Sequence, residues 1–164
     1  MTGFNLIDIF VQVFNDLFSY VDINHKFMCE VPESSLNSTE NVNTLVGVSG
    51  DVSGNIMFGY TDKTAKEVAA KLMGTDKIDD IDLYAKAALA DFYSEFSKRV
   101  AHAIKIENLF NLKEASKDYA LHTTSPTYIA GESMFGIISK VPSKKLFFKV
   151  NGEKFGIAYS LEQK

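Results

Sequence analysis

The residues of this sequence best spaced for joint chemistry lie between positions 87 and 98. Ala87, Asp91, Ser94 and Lys98 recur at three- and four-residue intervals, with Glu95 beside them. On a helix, Asp91 and Ser94 at i, i+3 point the same way, so a carboxylate and a hydroxyl would face one partner together. On composition alone the same stripe reads as a solvated helix face. Glu95 and Lys98 flank the pair and could hold a partner, or could be ordinary helix surface, since exposed charge pairs contribute little. Other candidates carry less. His25, His102 and His122 are scattered without ligand spacing, so no metal site is expected. Cys29 lies in a β-like run (Phe27, Met28, Cys29, Val31) and reads as a small buried side chain rather than a nucleophile. The segment GVSGDVSGN (47–55) is glycine-rich, but it lacks a GK[ST] ending and leads into a strand, which favours a hairpin turn over a phosphate cradle. Ser125-Pro126 is either part of a partner surface or a structural bend.

The element that must position the pair is a helix over residues 79–104. Asp79, Asp80 and Asp82 suit its positive dipole end, and Lys98, Arg99 and Lys105 suit the other. Ile81, Ala85, Ala88, Leu89, Phe92, Phe96, Val100 and Ala103 share one face and are assigned to the core. Such a rod would be about 39 Å long. Before it, Thr64 and Glu67 have capping-box spacing, with Asp62 as a competing N-cap. A helix then runs to about Met73 and stops at Gly74. The chain opens with an amphipathic helix over 4–21, whose stripe is Ile7, Val11, Phe14, Phe18 and Val21. No Lys or Arg flanks it to hold lipid head groups, so it is assigned to the core rather than to a membrane surface.

Residues 32–44 are polar and read as a loop. Strands are expected at 45–48, 56–60, 119–124, 134–141, 146–150 and 155–160, with Asn151-Gly152 as the turn between the last two. Residues 124–131 form a loop or strand junction, where Pro126 forces Ser125 to be extended. The order is helix, strands, two helices, strands. The fold class is therefore α+β, with a mixed or antiparallel sheet and helices packed on one face. Its 164 residues suit a single domain over 1–164.

Composition removes several function classes. Hydrophobic residues make up 46% and charged residues 23%, which argues against disorder. With 21 acids against 17 bases the net charge is −4, so there is no basic field to gather nucleic acid or anionic lipid. A single cysteine allows no internal disulfide and fits a reducing compartment. No apolar run is long enough to span a bilayer, and Asp8, Gln12, Asn15 and Asp16 interrupt the first one, so it does not read as a signal peptide. The expected location is cytoplasmic.

Three segments in order resemble one family. VGVSGDVSGNIMFGYTDKTAKEVAAKLMG (46–74) is similar to the stretch GxSGxVxG…TAxxxAxxMxG of the CheX branch of the CheC/CheX chemotaxis phosphatases. TSPTYIAGESM (124–134) resembles its SxPTVIxG segment, and FFKVNGEKFGIAYSL (147–161) resembles its closing hairpin. The resemblance implies an enzyme that dephosphorylates the receiver domain of a response regulator. In that family the active helix carries Glu-x-x-Asn. The Glu pairs with the receiver's lysine, and the Asn orients a water for in-line attack on the aspartyl phosphate. The receiver supplies a Mg²⁺, and no cofactor belongs to the phosphatase itself. Such catalysis works by positioning alone. Aligned on that pattern, ALADFYSEF (88–96) places Asp91 at the Glu position and Ser94 at the Asn position. The resemblance further implies a homodimer formed through sheet edges. Two alternatives stand beside a phosphatase of CheY-like receivers: a module that docks a receiver without dephosphorylating it, and a dimeric scaffold unrelated to receivers.

Overall fold

The computed structural model describes residues 5–31, 41–107, 121–130 and 144–163. The elements are α1 (Leu6–Tyr20), β1 (His25–Val31), β2 (Val42–Gly50), β3 (Val52–Tyr60), α2 (Asp62–Met73), α3 (Leu83–Glu107), β4 (Leu121–Thr123), β5 (Thr127–Ala130), β6 (Lys144–Val150) and β7 (Glu153–Gln163). Among the described residues, seven strands form one sheet in the order β1-β6-β7-β3-β2-β4, with β5 also paired to β2. Every pairing is antiparallel. No helix among the described residues is long and apolar enough to cross a membrane.

Successive strand residues point to opposite faces, and the core uses one parity. Val42, Val46 and Val48, Ile56, Phe58 and Tyr60, Leu146, Phe148 and Val150, and Phe155, Ile157 and Tyr159 form one cluster with the inner faces of all three helices. The expected α+β layer of helices on one sheet face is what forms. The expected 134–141 strand lies outside the described residues, as do 119 and 120 of the expected 119–124 strand. Of the expected 32–44 loop, Val42, Asn43 and Thr44 belong to β2 and are buried.

Local chemistry sets the helix ends. Asn5 and Asp8 form a reciprocal cap. The Asn5 side chain accepts from Asp8 N at 2.9 Å, and the Asp8 carboxylate accepts from Asn5 N at 3.0 Å. α1 buries Ile9, Phe10, Val13, Phe14, Leu17 and Phe18, while Ile7, Val11 and Val21 are only half-buried. Its inward stripe is thus shifted from the expected one. The shift brings Phe10 onto Tyr159 at 4.6 Å, beside Phe14, which meets Phe148 at 3.8 Å. α2 is capped by Thr61, not by Asp62 or Thr64: Thr61 Oγ1 accepts from Thr64 N at 3.1 Å. Glu67 is not in a capping box; it accepts from Asn151 Nδ2 at 2.9 Å. Gly74 ends α2 at φ 71°, as its position predicts.

The glycine-rich stretch differs from a simple turn. β2 and β3 run almost to one another, with only Asp51 between them. Gly54 is in the strand, at φ 150°, where a β-carbon would lie 1.7 Å from the Ser160 carbonyl oxygen of β7. That glycine serves strand-to-strand approach rather than chain reversal. The Asn151-Gly152 turn between β6 and β7 has φ values of 48° and 80°, the positive pair its sequence predicts.

Candidate functional site

α3 is the scaffold of the site. It begins at Leu83, not at 79, because Asp82 caps it: its Oδ1 accepts from Ala85 N at 2.9 Å. Asp79, Asp80 and Ile81 precede the helix, which continues to Glu107. Its buried side is broader than the sequence stripe. Tyr93, Ser97, Ala101 and Ile104 join Ala85, Leu89, Phe92, Phe96 and Val100, whereas Ile81, Ala88 and Ala103 are half-buried. Phe92 meets Phe18 edge-on at 5.4 Å, Phe96 meets Phe58 at 4.9 Å, and Tyr93 lies 4.7 Å from Phe58. Each such buried side chain contributes about 1.5–3 kcal/mol, so rolling the rod to expose them would be prohibitively costly. A buried hydroxyl on that side, Ser97 Oγ, donates to Tyr93 O at 2.9 Å.

With that side locked, the opposite side is fixed in space. Asp91 is exposed and Ser94 half-buried, and exposed Ala87 and Lys98 complete the ridge. In an α-helix, three residues separate the two groups by about 60° around the axis and about 4.5 Å along it. The structure therefore brings the expected pair onto one accessible surface. Glu95 and Lys98 behave differently from one another. Glu95 Oε1 accepts from Arg99 Nε at 2.9 Å, which commits it along the helix. Lys98 is exposed and has no ion-pair partner among the described residues.

A groove that the sequence did not reveal lies beside this ridge. Lys98, Ala101, His102 and Lys105 of α3 face Leu121 and Thr123 of β4 around a volume of about 220 Å³. Lys98, His102 and Lys105 do have i, i+4, i+7 spacing, but nothing in the sequence shows that a three-residue edge strand closes the other wall. Further along α3, Lys86 Nζ sits 5.5 Å from the centre of the Tyr128 ring of β5. Residues 124–126 are a junction between two strands on one edge: β4 pairs with Val48–Gly50 and β5 with 42–45 of the same strand β2. Thr124 holds the junction closed, since Gly47 N donates to its Oγ1 at 2.8 Å and Thr124 N donates to Gly47 O at 2.9 Å. Pro126, which lacks an N–H, occupies the gap, and Ser125 is exposed.

The remaining candidates are elsewhere. His25 Nδ1 bonds Ile23 O at 2.7 Å, at the foot of α1, and His122 is exposed on β4. No three His, Cys, Asp or Glu side chains converge as metal ligands among the described residues. Cys29, expected to be buried, is exposed. The cause is a bulge in β1 between Phe27 and Cys29. Phe27 pairs opposite Phe148, but Cys29 pairs opposite Phe147, so the extra residue turns Cys29 to the face away from the helices. Behind α3, burial raises the Tyr60 and Tyr93 phenols above their ordinary range, which keeps that layer uncharged. At the start of α2, the hydrogen bond that Lys66 Nζ donates to the Asp62 carboxylate raises the pKa of the Lys66 ammonium.

No family model matches this sequence. Over 103 residues it is 24% identical to the CheY-P phosphatase CheX of Thermotoga maritima, a match spanning 60% of this chain and 60% of that protein. Among solved structures, the chemotaxis protein CheX from Desulfovibrio desulfuricans superposes with a TM-score of 0.80 at 21% identity, covering 96% of this chain and 99% of that one. A chain of the CheX-CheY-BeF₃-Mg²⁺ complex from Borrelia burgdorferi superposes with a TM-score of 0.69 at 21% identity, covering 97% and 99%. A CheC-like protein of a Shewanella species follows at 0.72 and 16%, covering 98% and 99%.

Proposed function

We propose, from the premise that this chain is CheX-like, that it docks a phosphorylated CheY-like receiver through α3 and promotes hydrolysis of the aspartyl phosphate. Asp91 pairs with a cationic side chain of the receiver and fixes the orientation of the complex. Ser94 holds the attacking water by hydrogen bond. The receiver brings the phosphoaspartate and a Mg²⁺, so this chain contributes position rather than a nucleophile. The observation that supports the reading most is the shared ridge: a carboxylate and a hydroxyl one turn apart, exposed on a helix whose other side is locked into the core. On this reading the protein works in the cytoplasm, alongside its receiver.

A second reading has its own support in the same two residues. Both side chains are short, and Ser94 is half-buried. A receiver could dock without being dephosphorylated. One assay separates the readings: loss of acyl phosphate from phosphorylated receivers of the source organism, with and without the protein. Acceleration that Asp91→Ala and Ser94→Ala each remove supports the enzyme. Binding without acceleration supports the docking module. Receiver binding that survives Asp91→Arg unchanged removes α3 from both.

The resemblance also carries a homodimer formed through sheet edges. β1 pairs with β6 on one side, and no described strand pairs its other side, which makes that edge the contact to test.

A further inference from the structure

The groove beside the ridge extends the site. Its α3 wall carries Lys98, His102 and Lys105, its floor and far wall carry Ala101, Leu121 and Thr123, and none of the described lining residues is acidic. This happens in a chain whose net charge is −4. The arrangement along α3 explains how the Lys98 charge stays available. Glu95, the carboxylate nearest Lys98 in sequence, is held by Arg99 at 2.9 Å. Lys98 lies four residues after Ser94, about 6 Å along the axis, so the groove opens where the ridge ends.

We infer that this groove receives an acidic segment of a partner protein, a carboxylate side chain with an apolar neighbour. The carboxylate meets Lys98 and His102, and the neighbour packs on Ala101 and Leu121. The partner's identity rests on the receiver reading above, but the chemistry of the groove does not. The seven helical steps from Lys98 to Lys105 span only about 10 Å, enough for one or two side chains. A nucleic acid laid along α3 would meet the Asp79, Asp80 and Asp82 carboxylates near the helix's other end, which disfavours a polyphosphate and favours a short acidic protein segment. Docking of this kind is steered by charge, so the rate of association falls with salt.

The test has two arms. In the first, backbone amide shifts of the full chain are followed while a synthetic Asp/Glu/Leu peptide is added, with a Gln/Leu peptide of equal length as control. Saturable shifts confined to 98–105 and 121–123, seen with the acidic peptide only and lost in Lys98→Glu/His102→Glu, support the groove. Absence of saturable shifts overturns it, as does displacement of the peptide by a DNA duplex at equal concentration. Both substituted side chains are exposed, and a thermal melt matching wild type confirms that the variant folds. In the second arm, binding of BeF₃-activated receivers is measured across ionic strengths. Lys98→Glu/His102→Glu is expected to weaken binding by about tenfold or more at low salt and to flatten the salt dependence. A receiver that binds wild type and variant alike overturns the groove and leaves the receiver reading standing. If no receiver binds wild type while the peptide does, the receiver reading falls and the groove stands.

Discussion

Asp91 reaches about 1.5 Å less far than a glutamate would, and Ser94 offers one hydroxyl where an amide would offer both a donor and an acceptor group. In an oriented reaction a misplacement of about 1 Å costs around 10²-fold. The double substitution Asp91→Glu with Ser94→Asn should therefore raise receiver dephosphorylation by about 10²-fold over wild type. Single-turnover loss of acyl phosphate measures it, and a double variant no faster than wild type would move the water-orienting group off this helix. Tyr93 sits behind them. Its hydroxyl is buried with no hydrogen-bond partner among the described residues, and the neighbouring Tyr60 hydroxyl is within 2.8 Å of Thr44 Oγ1. Tyr93→Phe removes an unsatisfied group and should stabilise the fold by about 1 kcal/mol, read as a higher urea midpoint. The same tyrosine sets a pH response. Its folded-state pKa is raised by burial, so its contribution is complete below the unfolded value of about 10 and declines above it. Unfolding midpoints should drop as the pH rises above about 10 in wild type, and drop less in Tyr93→Phe.

Among the elements, the β3–β7 pair is the least tolerant of change. A β-carbon at Gly54 would enter the Ser160 carbonyl at 1.7 Å, whereas one at Gly74 meets nothing within 4 Å. Gly54→Ala should cost roughly 3 kcal/mol or more, by forcing two strands apart. Gly74→Ala should cost only about 1–2 kcal/mol, the penalty of its left-handed backbone. Chemical denaturation of the two variants tests the contrast, and equal losses would mean that β7 shifts freely. These cases also show what the sequence could say. Periodicity placed α3 and turned Asp91 outward, because the helical repeat of Leu89, Phe92, Phe96 and Val100 admits one orientation. It misread Gly54, because a glycine needed for close approach looks the same in sequence as one needed for a turn. It missed β5 as a strand, because four residues after a proline carry almost no pattern. The groove stayed hidden for a related reason: its second wall is a strand of three residues whose pairing with β2 is settled by tertiary contacts alone.

For the molecule as a whole, the core is one cluster shared by the sheet and all three helices, so unfolding should be a single transition by both near- and far-UV circular dichroism. The sheet-edge dimer is tested by light scattering: a mass near twice 18.2 kDa at micromolar concentration is expected, and a monomer would remove that assembly. Here the bulge in β1 has a practical consequence. It leaves the chain's one thiol pointing to solvent on the outermost strand, on the sheet face opposite α3. A maleimide fluorophore should attach there without denaturant and without any engineered cysteine. Energy transfer between two such labels would then report self-association, while α3, the helix proposed to dock a receiver, stays untouched.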